Sequence, residues 1–359
     1  MKKTFLALLA IVSLAACTKM EVEYTPTDEI GFNVVSGKMT KSAVAGTTYP
    51  EGLNMYVFAA TTDNTDGTAN YINKGEFTKK GAYNTINTSS TDTKLVWGGT
   101  PEAYYWPNVK QLYFAGISKS GNVESLSATG NNPAISMDFS GNGTLTINGY
   151  EPRTGTTAAG DNDLMWFSKT SAYGKGTDYV HVDMYHTCSW ITVKVYGDNI
   201  TKSWKLHNIT INNIATKGNV TLSTNASSGT TNTPGAVWTL QNNGQYIYTD
   251  YINKPIVVFN STDGQQLTDD ARKFENIEDN TIIIPQNTTN MNITYSYVSP
   301  AGATITETVP VSLSLGNTSD PWLAGYHYTY TVKITASEIL IQPDAKTWND
   351  GPNNLGSQI

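Results

Sequence analysis

The chain has 359 residues and a formal net charge of −7, and its only arginines are Arg153 and Arg272. It lacks the clustered cations that displace counterions from a phosphate backbone, which excludes nucleic acid as a partner. Its two cysteines allow at most one intrachain disulfide, so stability has to come from core burial, and the length suits two domains of ordinary size.

Lys2 and Lys3 precede an apolar run from Phe5 to Val12, and Ser13-Leu14-Ala15-Ala16-Cys17 follows. Charged, apolar and small residues in that order read as a secretory signal over residues 1–16. The run is too short for a permanent membrane helix. Leu14-Ala15-Ala16-Cys17 also resembles the lipobox of bacterial lipoproteins, in which the cysteine takes a thioether-linked diacylglycerol and the signal peptide is cut in front of it. The alternative is an ordinary signal peptide followed by a chance cysteine. If Cys17 carries lipid, Cys188 has no intrachain partner.

Beyond this segment the chain is rich in Tyr, Thr, Asn and Gly, and apolar residues scarcely recur at helical spacing, which predicts an all-β protein. In chain order, β-favouring runs occur at Met55–Ala60, Leu112–Ile117 and Leu145–Ile147. The longest, "YVHVDMYHTCSWITVKVYG" over 179–197, changes phase. Val182, Met184, His186 and Cys188 share one parity, whereas Ile191, Val193 and Val195 share the other. A one-residue shift sends every side chain to the opposite face, so there is either a bulge near Ser189-Trp190 or a strand passing from one core into another. We take it as a domain seam.

Further strands are predicted at Ile209–Ile211, Val220–Leu222, Ile256–Phe259 and Ile282–Ile284. Three later runs alternate strictly: Met291, Ile293, Tyr295 and Tyr297; Val309, Val311, Leu313 and Leu315; Tyr328, Tyr330, Val332 and Ile334. Each reads as an antiparallel strand with one face on a core and one in water. Between the runs, "DNTDGT", "SGNGT", "STDGQ" and "SPAGA" supply the Gly, Asn, Asp and Pro that reversals need. "TDDARKFENIED", residues 268–279, is the best candidate for a helix, short and peripheral.

His181, His186, His207 and His327 lie on predicted strands, and only the first two are close in sequence. Those two point to opposite faces of a regular strand and cannot share a metal without distortion, so no metal site is expected. "DNTDG" and "GDNDL" cluster oxygen ligands without the spacing of a helix-loop-helix calcium loop, and such clusters are ordinary turn formers. No nucleophile elbow, phosphate loop, zinc-protease pair or dinucleotide fingerprint occurs. Catalysis has no positive support and no cofactor is expected. Cys188, on a predicted strand, reads as a small buried hydrophobe rather than a nucleophile. Aromatic residues gather at Trp97, Tyr104, Tyr105 and Trp106, with Tyr113 and Phe114 beyond. Their faces could stack on a sugar ring; alternatively Trp106-Pro107 ends a loop and Leu112 and Phe114 continue as a core strand, the reading we favour.

Seven stretches in order resemble the signposts of the fimbrillins, the Mfa-like or type V pilins that Gram-negative anaerobes make as lipoprotein precursors. They are the lipobox at Leu14–Cys17, "IGFNV" followed by "MTKSA", "LNMYVFA", "YYWPNVKQLYFAG", "HVDMYHTCSWITVKV", "IIIPQN", and "WLAGYHYTYTVKIT" followed by "DAKTWNDG". The resemblance covers nearly the whole chain. It implies two transthyretin-like, Ig-like Greek-key β-sandwich domains in tandem, here over 42–188 and 189–359. It also implies a structural, adhesive role in a surface fimbria, with other pilin subunits, the outer membrane through the precursor's lipid, and a host or bacterial surface ligand as partners.

In the family a trypsin-like protease removes an N-terminal segment carrying the first strand, and a strand from another subunit fills the open groove. Carried over to this chain, residues 17–41 are a lipidated propeptide, and Ile30, Phe32 and Val34, alternating with Gly31 and Asn33, are the removable strand. Lys38 and Lys41 follow it, and Lys41 in "MTKSA" is the better match to a processing site; the family's usual arginine is absent, since none precedes Arg153. At the other end Ile339, Leu340 and Ile341 are the candidate donor strand, with Pro343 interrupting the ladder. A tip or surface adhesin acting through loops or the aromatic cluster is the alternative function. A surface enzyme of glycan breakdown with two spaced carboxyl groups is a third.

The lipobox makes a direct prediction. Cys17→Ser is expected to abolish incorporation of labelled palmitate into the precursor; label retained by the variant would place the lipid elsewhere.

Overall fold

Strictly alternating runs and unbroken apolar runs both become strands, for different reasons. The computed structural model describes residues 29–36, 54–78, 94–97, 104–119, 135–152, 163–177, 179–197, 203–223, 235–240, 254–267, 280–315, 321–335 and 339–347. All regular structure among the described residues is β. The chain begins with β1 (Phe32–Ser36), β2 (Asn54–Thr61), β3 (Ile72–Thr78), β4 (Lys94–Trp97) and β5 (Leu112–Lys119). It continues with β6 (Ile135–Asp138), β7 (Thr144–Tyr150), β8 (Met165–Phe167), β9 (Val180–His186) and β10 (Ser189–Gly197). Then come β11 (Lys205–Ile214), β12 (Gly218–Ser223), β13 (Gly235–Leu240), β14 (Lys254–Gln266) and β15 (Asn280–Ile283). The last are β16 (Asn290–Val298), β17 (Thr304–Ser312), β18 (Tyr326–Ile334) and β19 (Ile339–Thr347).

These strands form a closed barrel, in the order β1-β4-β3-β2-β5-β8-β9, and three four-stranded sheets, β13-β12-β7-β6, β15-β10-β18-β19 and β14-β11-β16-β17. The run "MYVFAA" of β2 shows no alternation because both its faces are covered. Met55, Val57 and Ala59 belong to the barrel core, while Tyr56, Phe58 and Ala60 pack with Leu145, Ile147, Val220 and Leu222 of the sheet β13-β12-β7-β6. β5 and β8 are divided in the same way, with Phe114 and Phe167 on the barrel side and Ile117 and Trp166 on the other. A layer buried on both faces calls for apolar residues at every position.

The phase change at Ser189-Trp190 is a passage between cores. Val182 and Met184 of β9 sit in the barrel core, and Ile191, Val193 and Val195 of β10 sit in the core between the other two sheets. Thr187 and Cys188 make the crossing, and it is held from several sides. The Thr187 N–H and hydroxyl donate to Leu164 O at 2.9 and 2.7 Å, Trp238 Nε1 donates to Thr187 O at 2.7 Å, and Gly325 N donates to Cys188 O at 2.9 Å. β12 and β13 lie beyond this crossing in sequence, yet β12 pairs with β7, which precedes it.

β16 and β18 follow the alternation read from the sequence: Met291, Ile293 and Tyr295, and Tyr328, Tyr330, Val332 and Ile334, all lie in the core that β10 enters. β17 departs from it. The pattern predicts a strand over Val309–Leu315, but the hairpin with β16 pairs Val298 with Thr304 and Asn290 with Ser312, so the strand starts earlier and stops sooner. Glu307 hides the first half of the pattern. It has the parity of Val309 and Val311, and the Tyr295 and Tyr297 hydroxyls donate to its carboxylate at 2.7 and 3.2 Å. "STDGQ", predicted as a turn, lies inside β14, where the partners of β11 jump from Gln265 opposite Leu206 to Asn260 opposite Asn208. Its turn chemistry builds a bulge instead: Gly264 has φ +74, and a Cβ there would lie 2.7 Å from His207 Cε1. The helix predicted over 268–279 falls outside the described residues.

Tyr330 links three parts of this core. Its hydroxyl accepts from Trp322 Nε1 at 2.7 Å and donates to Leu313 O at 2.9 Å. Tyr330→Phe strands both buried groups, at a cost of roughly 1–3 kcal/mol. The expected readout is a lower urea midpoint at unchanged m; an unaltered midpoint would show the hydroxyl to be dispensable.

Candidate functional site

Ile30, Phe32 and Val34 alternate with Gly31 and Asn33, so a strand here puts its large apolar side chains on one face. That face is fully covered: Ile30 is 1% exposed, Phe32 0% and Val34 1%. β1 runs parallel to β9, from Phe32 opposite Val180 to Ser36 opposite Met184, and antiparallel to β4, with Phe32 opposite Leu95 and Asn33 opposite Lys94. Just before it, Ile30 N donates to Tyr104 O at 2.8 Å and Val180 N donates to Gly31 O at 2.8 Å. Glu29 makes an isolated bridge to Tyr105. β1 is therefore the strand that closes the barrel. Without it, β9 and β4 would face each other across two strand spacings, about 10 Å, with open backbone groups on both sides.

Phe32 occupies the centre of this groove. Its ring meets Phe77 and Phe114 edge-on at 4.8 and 5.4 Å, and Phe167 at 6.2 Å with the planes tilted by 49°. Phe114 in turn meets Trp106 edge-on at 5.8 Å. Gly116 makes room for one wall: it stands opposite Phe167, and a Cβ on it would lie 2.3 Å from Phe167 Cε1. Phe77, Phe167 and Gly116 escape sequence reasoning, because β3 and β8 lack a clear period. The glycine inside the run "LYFAGIS" is the one available signal, since a glycine within a strand marks a close approach.

The other predicted residues are scattered. Cys17, Lys38 and Lys41 lie outside the described residues. Trp97 ends β4 opposite Phe77. Trp106 is 4% exposed within the barrel core, and Tyr104 packs against that core, where burial raises its phenol above the ordinary value. The Tyr105 carbonyl accepts from the Tyr71 hydroxyl. Ile339, Leu340 and Ile341 open β19, which pairs with β18 from Ile339 opposite Ile334 to Thr347 opposite Tyr326. Ile339 and Ile341 pack on the core of Tyr328 and Tyr330, and Leu340 is 45% exposed. His181 is exposed, whereas His186 is buried with Nδ1 2.5 Å from Asp163 Oδ2, so the pair does point to opposite faces. Among the described residues, no group of three or more His, Cys, Asp or Glu is placed to hold a metal ion.

Residues 40–348 match the protein family described as Fimbrillin-like. The chain belongs to the fimbrillin-like family. Among solved structures, a Bacteroides uniformis protein provisionally assigned to cell adhesion aligns with this fimbrillin-like chain at a TM-score of 0.52 and 16% identity, over 89% of this chain and 99% of that one. A fimbrial protein of Bacteroides vulgatus aligns at a TM-score of 0.50 and 13% identity, over 89% and 99% respectively. These likenesses show the shared β fold. No curated protein matches by sequence. Membership of a fimbrial family supports a subunit or adhesin at the cell surface, assembled with other pilin subunits.

Phe32→Ala empties the centre of the groove, and the rigid aromatic walls leave a cavity. A loss of about 3–5 kcal/mol in unfolding free energy is expected from denaturant titration of the full chain; a loss below about 1 kcal/mol would show that β1 contributes little to the folded barrel.

Proposed function

We propose that this chain is a structural pilin subunit of a surface fimbria, exported as a lipoprotein and polymerised when β1 is exchanged for a strand of another subunit. The observation that carries this reading is where β1 sits. It is the first described strand, it closes the barrel with Phe32 and Val34 buried and Ile30 buried just before it, and Lys38 and Lys41 follow it in sequence. A strand at that position can be cut away without breaking the rest of the chain. Its loss would open an apolar groove between two unpaired edges, and a donated strand satisfies both by β-augmentation.

In this reading Cys17 holds the precursor at the outer membrane, and a trypsin-like protease cuts after Lys41 or Lys38, so that the released subunit begins at residue 42 or 39. Trp106 and Tyr104 then serve the groove through packing. A head-to-tail contact of this kind is heterologous and does not close on itself, which suits a filament. For Ile339, Leu340 and Ile341 to be donated, β19 would first have to leave its ladder with β18.

N-terminal sequencing of the protein in sheared fimbriae is the test. The expected first residue is Ser42, or Met39 if Lys38 is used, and the double variant Lys38→Gln/Lys41→Gln is expected to stay out of the fibre. Fibre protein that begins at Cys17 would overturn the proposal.

A further inference from the structure

We infer that the β1 groove selects its replacement strand by a central aromatic side chain flanked two residues away on each side by aliphatic ones, and that this strand comes from a different protein. The inference rests on the proposal that β1 is displaced. Residues 30–34, which lead into β1, are the template. Ile30 and Val34 fill the outer pockets, and Phe32 lies between them against Phe77, Phe114 and Phe167. A ring in that place gains edge-to-face contacts beyond its buried area. A smaller side chain leaves a void, and the cost of a void depends on whether its walls can collapse. Here they cannot move inward freely. Phe167 is seated over the bare α-carbon of Gly116, so near that a Cβ would come within 2.3 Å of its ring, and Phe114 is backed by Trp106 at 5.8 Å.

Residues 339–359 of a second copy do not meet this requirement. Their one aromatic residue is Trp348, and the positions two residues away are Lys346 and Asp350, whose charges would enter the aliphatic pockets. The window Ile339-Leu340-Ile341-Gln342-Pro343 places an aliphatic residue at the centre and Pro343 in an outer pocket, where it has no N–H to give to a neighbouring strand. Ile339 and Ile341 are moreover already packed in the core of their own chain. The groove is thus built to accept a strand from a subunit of another kind, which places this chain in a mixed fibre.

The full chain carrying Cys17→Ser, nicked with trypsin after Lys41, is challenged with fluorescent peptides. A peptide of residues 28–36 is expected to exchange into the groove, its Phe32→Ala version to bind about a hundred-fold or more weakly, and a peptide of residues 337–359 not to compete. Equal binding of the Phe32→Ala peptide, or competition by 337–359 as strong as by 28–36, would overturn the inference. Failure of the 28–36 peptide itself to enter would instead overturn the underlying reading that the groove opens.

Discussion

A strand satisfies its backbone through its neighbours, so a barrel is only as closed as the strand that joins its two ends. In this protein that strand is β1. It meets β9 on one side and β4 on the other, and ring contacts from Phe77, Phe114 and Phe167 set the position of Phe32 between them. The same side chains therefore serve two ends. They fill the aromatic interior of the barrel, and they hold β1 where it pairs the backbone edges of β4 and β9.

The groove has a firm back wall because β2, β5 and β8 are buried on both faces. A side chain on the barrel side cannot shift far without disturbing the second core, where Tyr56, Phe58, Ile117 and Trp166 are packed. That second core also receives Cys188 from the crossing and Ile282 from β15. Packing thus continues from the groove, through the middle layer, to the strands that follow the crossing.

Legibility in the sequence depends on what covers each face. β16 and β18 could be read because one face meets the core and the other does not, which leaves period two visible. In β2 the period vanishes, since Met55 and Tyr56 are buried in different cores; the run still reads as a strand, but not which core each residue serves. Glu307 misleads for another reason. A carboxylate on the core-facing parity is tolerated only because Tyr295 and Tyr297, on the partner strand, donate to it. The glycine of "STDGQ" carried correct information about local backbone, a positive φ, but not whether the ladder would resume beyond it.

The sequence by itself determined the all-β class, because side-chain period and turn chemistry are local, and it showed that Ile30, Phe32 and Val34 share one face for the same reason. The tertiary structure decided what that face touches. The pairing of the first strand with β9, and the meeting of rings from β3, β5 and β8 around Phe32, join residues far apart along the chain. No local pattern encodes such contacts, because they exist only once the barrel has closed.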